Sequence, residues 1–435
     1  MSADTPSDRP SDDELPPDPF PGDPFDALKN ETAAPSGTAG AEGASDLAGL
    51  FGSLGSLGPM APLFQQLAAM QGKSGGLNWD VTRQIAMWTA SGEHVESPPD
   101  PVERIKMEQL VTRVASEVSA ASGLDVSAGT LNALVTTRAG WATQSLEDYR
   151  SLLDRLATSL STIKPATPED PTDERDPMSA VMGMIAPMIV SSQAGAMVGE
   201  LAKTSLGSYD LPVPRVASKD QLVFVLRNID EFASEWSITV DHARTHVAIV
   251  ECATHAVLRT PHIHAILTSY LDRFVGSYVI DPDAIGEQLQ SQLEAFGMSG
   301  LPDLSGSDEV FGVAETTQQL ALRADIARVL TPIDGFVDYV AAVTGARMLG
   351  DNRKVVEAWR RRRLSPDHGK TTAAQMLGLS FDDELLDLGA TFIGGVIQRG
   401  GSDALATLWS KAEHLPTTNE LAAPGLWLAR VGLAE

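Results

Sequence analysis

The stretch from Asp241 to His264, DHARTHVAIVECATHAVLRTPHIH, decides how the rest of the chain is read, and it holds five of the eight histidines. No Gly or Pro interrupts Asp241 to Thr260, and mostly Ala, Val, Ile and Leu separate the polar residues, so a helix ending just before Pro261 is expected. At about 100° per residue, Glu251 and His255 fall within about 40° of each other, as do His242 and His246, on nearly opposite sides of the cylinder. The helix histidines therefore do not make one metal site. Glu251 and His255 share their face with Val247, Ala248 and Leu258, which reads as a polar pair set into a buried surface. Either pair has metal-ligand spacing, since side chains at i,i+4 converge and imidazole with or without carboxylate suits zinc. His242 and His246 could alternatively be joined by His262 or His264 after the turn at Pro261. Histidines on an apolar helix also read, more blandly, as satisfied core residues.

The composition around this stretch favours a helical, soluble protein. Of 435 residues, 43% are apolar, enough for a sizeable core, while only 6% are aromatic and alternating strand-like runs are scarce. Lys and Arg total 32 against 58 Asp and Glu, a net charge of −26, which argues against binding nucleic acid through its phosphates. The single cysteine, Cys252, cannot form an internal disulfide, and the N-terminus lacks the basic start and apolar core of a signal peptide. A cytoplasmic location is expected.

Outward from the helix, residues 1–76 read as a disordered acidic, Pro/Gly-rich arm, with too few large apolar groups to offset the entropy of ordering. The Gly-rich run within it lacks the lysine of a phosphate-binding loop. Residues 77–435 read as one helical body. Helices are expected from Asn78 as a cap, over Val102–Ser122, over Ala128–Ala139 with Gly140 as its stop, and over Leu146–Ile163. Lys164–Pro177, with four prolines and five acidic residues, reads as a linker, and 297–308 as a surface loop. Pro177–Gly199 carries no charge between its ends, yet Pro187, Ser191, Ser192 and Gln193 make it a buried helix close-packed through Gly195 and Gly199 rather than a stable membrane insertion. Gln221–Leu226 reads as a short strand or the opening of a helix. Pro332 is expected to separate a helix over Val313–Leu330 from one bearing Asp334 and Asp338. The basic run Arg360–Arg363 reads as a solvated helix end, favoured there by the helix dipole.

Several motifs in order along the chain resemble a known family. They are Asn78-Trp79-Asp80, Gly207-Ser208-Tyr209-Asp210-Leu211-Pro212, the Glu251–His255 helix, Ile333-Asp334-Gly335, Arg361-Arg362-Arg363, Met376-Leu377-Gly378-Leu379, and Leu415-Pro416 through Leu426-Trp427-Leu428-Ala429-Arg430. The pattern is similar to the zincin-like proteins of actinobacteria, regarded as zinc-dependent metalloproteases or hydrolases, with relatives linked to coenzyme F420 biosynthesis. The helical periods along the chain give a mainly α body with few strands, and the resemblance implies that it is zincin-like, with the small sheet usual beside zincin helices reduced. In zincins a His-Glu-x-x-His helix holds zinc, the Glu activates water, and a later carboxylate completes the site. Carried over, Glu251 takes the first histidine's place, His255 the second's, Cys252 that of the catalytic Glu, and Asp334 that of the later carboxylate. The implied metal ligands are Glu251, His255 and Asp334. A thiol among apolar neighbours should have a raised pKa and serve poorly as general base, and losing proton transfer forfeits about 10² to 10⁴ in rate. The expectation is a metallohydrolase-family protein with a degenerate motif, an altered zinc centre and weak or no proteolysis. The alternative is a non-catalytic scaffold acting on a protein or peptide partner.

Overall fold

The computed structural model describes residues 77–92, 96–126, 131–161, 177–215, 220–278, 316–365 and 367–433. The expected arm at 1–76, nearly all of the linker at 164–177 and the loop at 297–308 lie outside these residues. The described residues all belong to one body within Ala68–Glu435.

The central helix is α7, Val240–Leu258, numbered in chain order. It starts at Val240 because the Thr239 hydroxyl accepts the His242 N–H as an N-cap. Every residue from Thr245 to Leu258 is buried. A helix apolar on nearly all sides belongs inside a helical core. Its neighbours are α2 (Pro101–Ser122), α6 (Leu226–Glu235), α8 (Pro261–Val275), α9 (Thr317–Leu349) and α10 (Arg353–Leu364). Pro261 occupies the first turn of α8, where its missing N–H leaves no bond unmade.

Beside this core, α1 (Trp79–Ser91) packs on α3 (Arg138–Asp148) and on α5 (Pro177–Thr204), and α4 (Arg150–Ser161) also meets α5. The approach of α5 to α1 is close: a methyl group added at Gly195 would lie 2.6 Å from the Thr82 carbonyl oxygen. The expected packing of this helix through its glycines is therefore observed. Among the described residues, no helix is long and apolar enough to cross a membrane.

Two expectations are corrected. Residues 132–139 do not continue one helix: Asn132–Val135 is strand β1, paired in parallel with β2 (Gln221–Phe224), Asn132 opposite Gln221 and Val135 opposite Phe224. The helix begins only at Arg138, because the Thr137 hydroxyl accepts the Gly140 N–H, which puts Gly140 in its first turn instead of at its end. These two strands are the whole described sheet.

The second correction concerns Pro332, which lies inside the unbroken helix α9. Proline removes one backbone bond and usually kinks or ends a helix. Here the surrounding residues Val329 to Ile333 are buried, and α9 crosses α12 (Asp383–Gly400) with backbones nearly touching. A methyl group at Gly335 would sit 2.3 Å from the Gly389 carbonyl, and one at Gly389 would sit 2.3 Å from that of Thr331. Dense packing on both sides of the proline outweighs its local preference. The remaining chain forms α11 (His368–Leu377), α13 (Ala404–Leu408), a short 3-10 turn, α14 (Thr418–Ala422) and α15 (Pro424–Arg430).

A candidate functional site around helix α7

The segment after α5, Ser205 to Arg215, runs across the Glu251 face of α7, and side chains distant in sequence converge on it. Glu251 Oε2 accepts the Ser208 N–H at 2.8 Å and Oε1 the Tyr209 N–H at 3.0 Å. The Trp141 indole donates to the Gly207 carbonyl at 2.7 Å, and the Ser208 hydroxyl accepts the Val223 N–H of β2 at 2.7 Å. Arg215 donates to the Ser208 carbonyl at 3.0 Å and forms an ion pair with Asp148 in which both side chains are almost wholly buried. Asp210 accepts the Leu206 N–H through one oxygen and Arg362 Nη1, at 2.6 Å, through the other.

Glu251 is 2% exposed, and burial raises its carboxyl to about 8, against the Tyr209 and Ser208 amides and Arg215, which pull it down. Gly207 is what admits it: a methyl group at that position would stand 2.4 Å from Glu251 Cδ and Oε1. His255, one turn on, is fully buried. Its Nδ1 lies 2.9 Å from the Tyr209 hydroxyl, while Nε2 is buried without a hydrogen-bond partner. Burial, helped by Arg259, lowers this imidazole to about 4, so it is neutral at ordinary pH.

Asp334 sits elsewhere, on α9, partly exposed and 3.6 Å from Arg363 Nη1. Burial raises its carboxyl to about 6, with Arg363 opposing. Asp338, one turn later, accepts Arg363 Nη2 at 2.5 Å. Cys252 is fully buried, and burial followed by the Glu251 charge pushes its thiol far above the usual range. On the opposite side of α7, His246 is 1% exposed with neither ring nitrogen bonded, and packs edge-on against Trp359 at 5.5 Å. His242 is only half-buried.

The implied zinc can be tested against these donors. Among the described residues, no group of three His, Cys, Asp or Glu side chains gathers as a metal ion requires. Glu251 offers both oxygens to amide N–H groups and is pressed against Gly207, and Asp334 is held by Arg363. Of the three implied ligands, only His255 offers a free buried atom, its Nε2, and one nitrogen does not make a zinc site. The residues present do not fit the ion. What the arrangement does chemically is hold the Ser205–Arg215 segment rigidly against α7, with Tyr209 as the link from backbone to imidazole.

The basic run departs from the solvated end expected of it. Arg360 pairs with Asp383 and Asp387, and Arg361 with Glu357, but Arg362 turns inward to Asp210 and Arg363 to Asp338 and Asp334. Lys370, on α11, is a residue the sequence gave no reason to select. It is 6% exposed.

A family model described as Zincin-like metallopeptidase matches residues 77–428. A crystal structure from Chloroflexus aurantiacus, described as "a putative hydrolase with a novel fold", shares 16% sequence identity with this chain at a TM-score of 0.55. It is matched over its whole length and over 82% of this chain, a likeness of fold. No curated protein matches the chain.

Proposed function

We propose, from the premise that this chain belongs to the zincin-like metallopeptidase family, that it keeps the family's helical scaffold and works by binding rather than by peptide hydrolysis. The observation that carries this reading is the double use of Glu251, whose two oxygens bind the Ser208 and Tyr209 amides. A carboxyl group spent in this way is a strut for the segment above it. Cys252, in the position of the family's general base, adds no proton acceptor near neutral pH because its thiol is buried and its pKa raised. The body, residues 77–435, would then present surfaces and a cavity to a protein or peptide partner, with residues 1–76 as a separate arm.

The metal-dependent alternative has one observation in its favour, the unpartnered Nε2 of His255 with its Nδ1 already oriented by Tyr209. Histidine metal ligands are commonly held in this manner through their second nitrogen. When bound, zinc would polarise a carbonyl or activate water, with His255 as ligand and with Glu251 and Asp334 released from their present partners.

Elemental analysis of purified, untagged protein and of His255→Ala, together with a peptide-hydrolysis assay, separates the two. The binding reading expects less than about a tenth of a zinc per chain and no turnover above the rate of the variant. About one zinc per chain, lost in His255→Ala together with a hydrolytic activity, overturns it.

A further inference from the structure

A cavity of about 50 Å³ lies beside the site, lined in part by Arg362, Arg363, Lys370, Val250, Ile333 and Phe381. Since one water needs about 10–15 Å³ of such space, the cavity suits about three to five waters, or one small polar group.

Its cations are not equivalent. Arg362 donates to Asp210 at 2.6 Å and to the Thr204 carbonyl at 2.8 Å. Arg363 pairs with Asp338 and Asp334 through its two terminal nitrogens, and its Nε is buried without a hydrogen bond. Lys370 is different: its ammonium has no hydrogen bond among the described residues and lies 4.7 Å from the centre of the Phe381 ring. Asp210 and Asp367 act on it only at longer range, and the Asp382 carboxylate is spent capping α12 through the Leu385 N–H. A lysine this deeply buried is nearly always paired, because an unpaired buried charge is costly. Burial, reinforced by Arg362, lowers its pKa to about 8, so the cation still predominates at neutral pH without a counter-ion in contact.

The missing partner is therefore an acceptor with negative charge. The volume suits a planar group of three heavy atoms together with the first carbon or two of a body attached to it. Asp210 and Asp334 in the same lining disfavour a dianion such as phosphate. Val250, Ile333 and Phe381 ask for an apolar body attached to the charge. We propose that Lys370 anchors the carboxylate of a ligand with an apolar side chain, either a free monocarboxylic acid or the free C-terminus of a peptide. The proposal rests on the binding reading above only in treating the protein as a binder; the cavity and its lysine stand whatever the state of the Glu251 centre.

Calorimetric titration of the full chain with isovalerate and with N-acetyl-Gly-Leu, each beside its primary amide, tests it. The acids should bind and the amides should be at least about tenfold weaker, as expected for a lost charge-assisted hydrogen bond. The tighter acid identifies the source of the carboxylate. Lys370→Met should abolish the preference of acid over amide. Should that variant fail to fold, the parent still reports: reductive methylation with formaldehyde and cyanoborohydride, followed by peptide mass mapping, should be slowed severalfold at Lys370 by the acid and not by the amide. Equal binding of acid and amide, binding of neither, or methylation of Lys370 indifferent to the acid overturns the proposal. Peptide hydrolysis in the same samples would refute the binding reading and leave the carboxylate site standing.

Discussion

Replacing Glu251 with alanine tests directly what that carboxyl does. In the native protein it satisfies the Ser208 and Tyr209 N–H groups at 2.8 and 3.0 Å within a site where Glu251 is 2% exposed. The substitution leaves two buried donors without acceptors, each costing about 1–3 kcal/mol, and opens a small void beside Gly207. Against this stands a relief, because the carboxyl is raised to about 8 by burial and its desolvation is a cost the native fold bears. The net expectation is a destabilisation of about 2–4 kcal/mol. At about 2.1 cal/mol/K of unfolding entropy per residue, a body of this length loses about 1.3 °C per kcal/mol, so Tm should fall by roughly 3–5 °C. Differential scanning calorimetry measures it, on Glu251→Ala and on the parent with and without a chelator. The strut reading requires the variant to melt early and the chelator to leave the parent unchanged. A parent that loses as much stability to the chelator as to the substitution would refute the reasoning, since Glu251 would then act through a metal.

Three further outcomes are expected. Gly207→Ala should destabilise by about 1–3 kcal/mol in urea titration, the usual cost of overpacking, because its methyl would lie 2.4 Å from Glu251 Cδ; a neutral effect would mean that the segment is not held where described. His246, with burial lowering its imidazole to about 3, binds a proton in the unfolded chain near 6.5 but not in the native one, so its contribution to stability, intact above pH 6.5, drains away as pH falls towards 3. His246→Phe should remove about 1.4 kcal/mol per pH unit from the acid limb of the stability curve, read as the difference between parent and variant across pH 6.5 to 4; parallel curves would contradict a buried neutral imidazole. Tyr209→Phe should cost about 0.5–1.5 kcal/mol and change the His255 tautomer signal in ¹⁵N NMR, since it removes the hydroxyl 2.9 Å from Nδ1; an unaltered signal would place His255 in some other network.

The sequence by itself determined those features that depend on neighbours a few residues apart. The helical period of Asp241 to Leu258, the Asn78 cap, the end of that helix before Pro261 and the close-packed glycines of α5 could all be read locally. So could the sharing of one buried face by Glu251 and His255, because i,i+4 geometry follows from the helix alone. Pro332 was misread for the complementary reason: its local cost is fixed, but the near contact of Gly335 with Gly389 across two helices is not local. The strand at Asn132–Val135 likewise owes its form to pairing with residues almost ninety positions away. At the site, the sequence named Glu251, His255 and Asp334 without a means of telling whether they meet. Tertiary structure decided that Glu251 binds a segment 42 and 43 residues before it, that Asp334 faces Arg363, and that Arg362 reaches back 152 residues to Asp210. Lys370 shows the limit most plainly, because burial is set by what packs above a residue, and a lysine's immediate neighbours carry no trace of it.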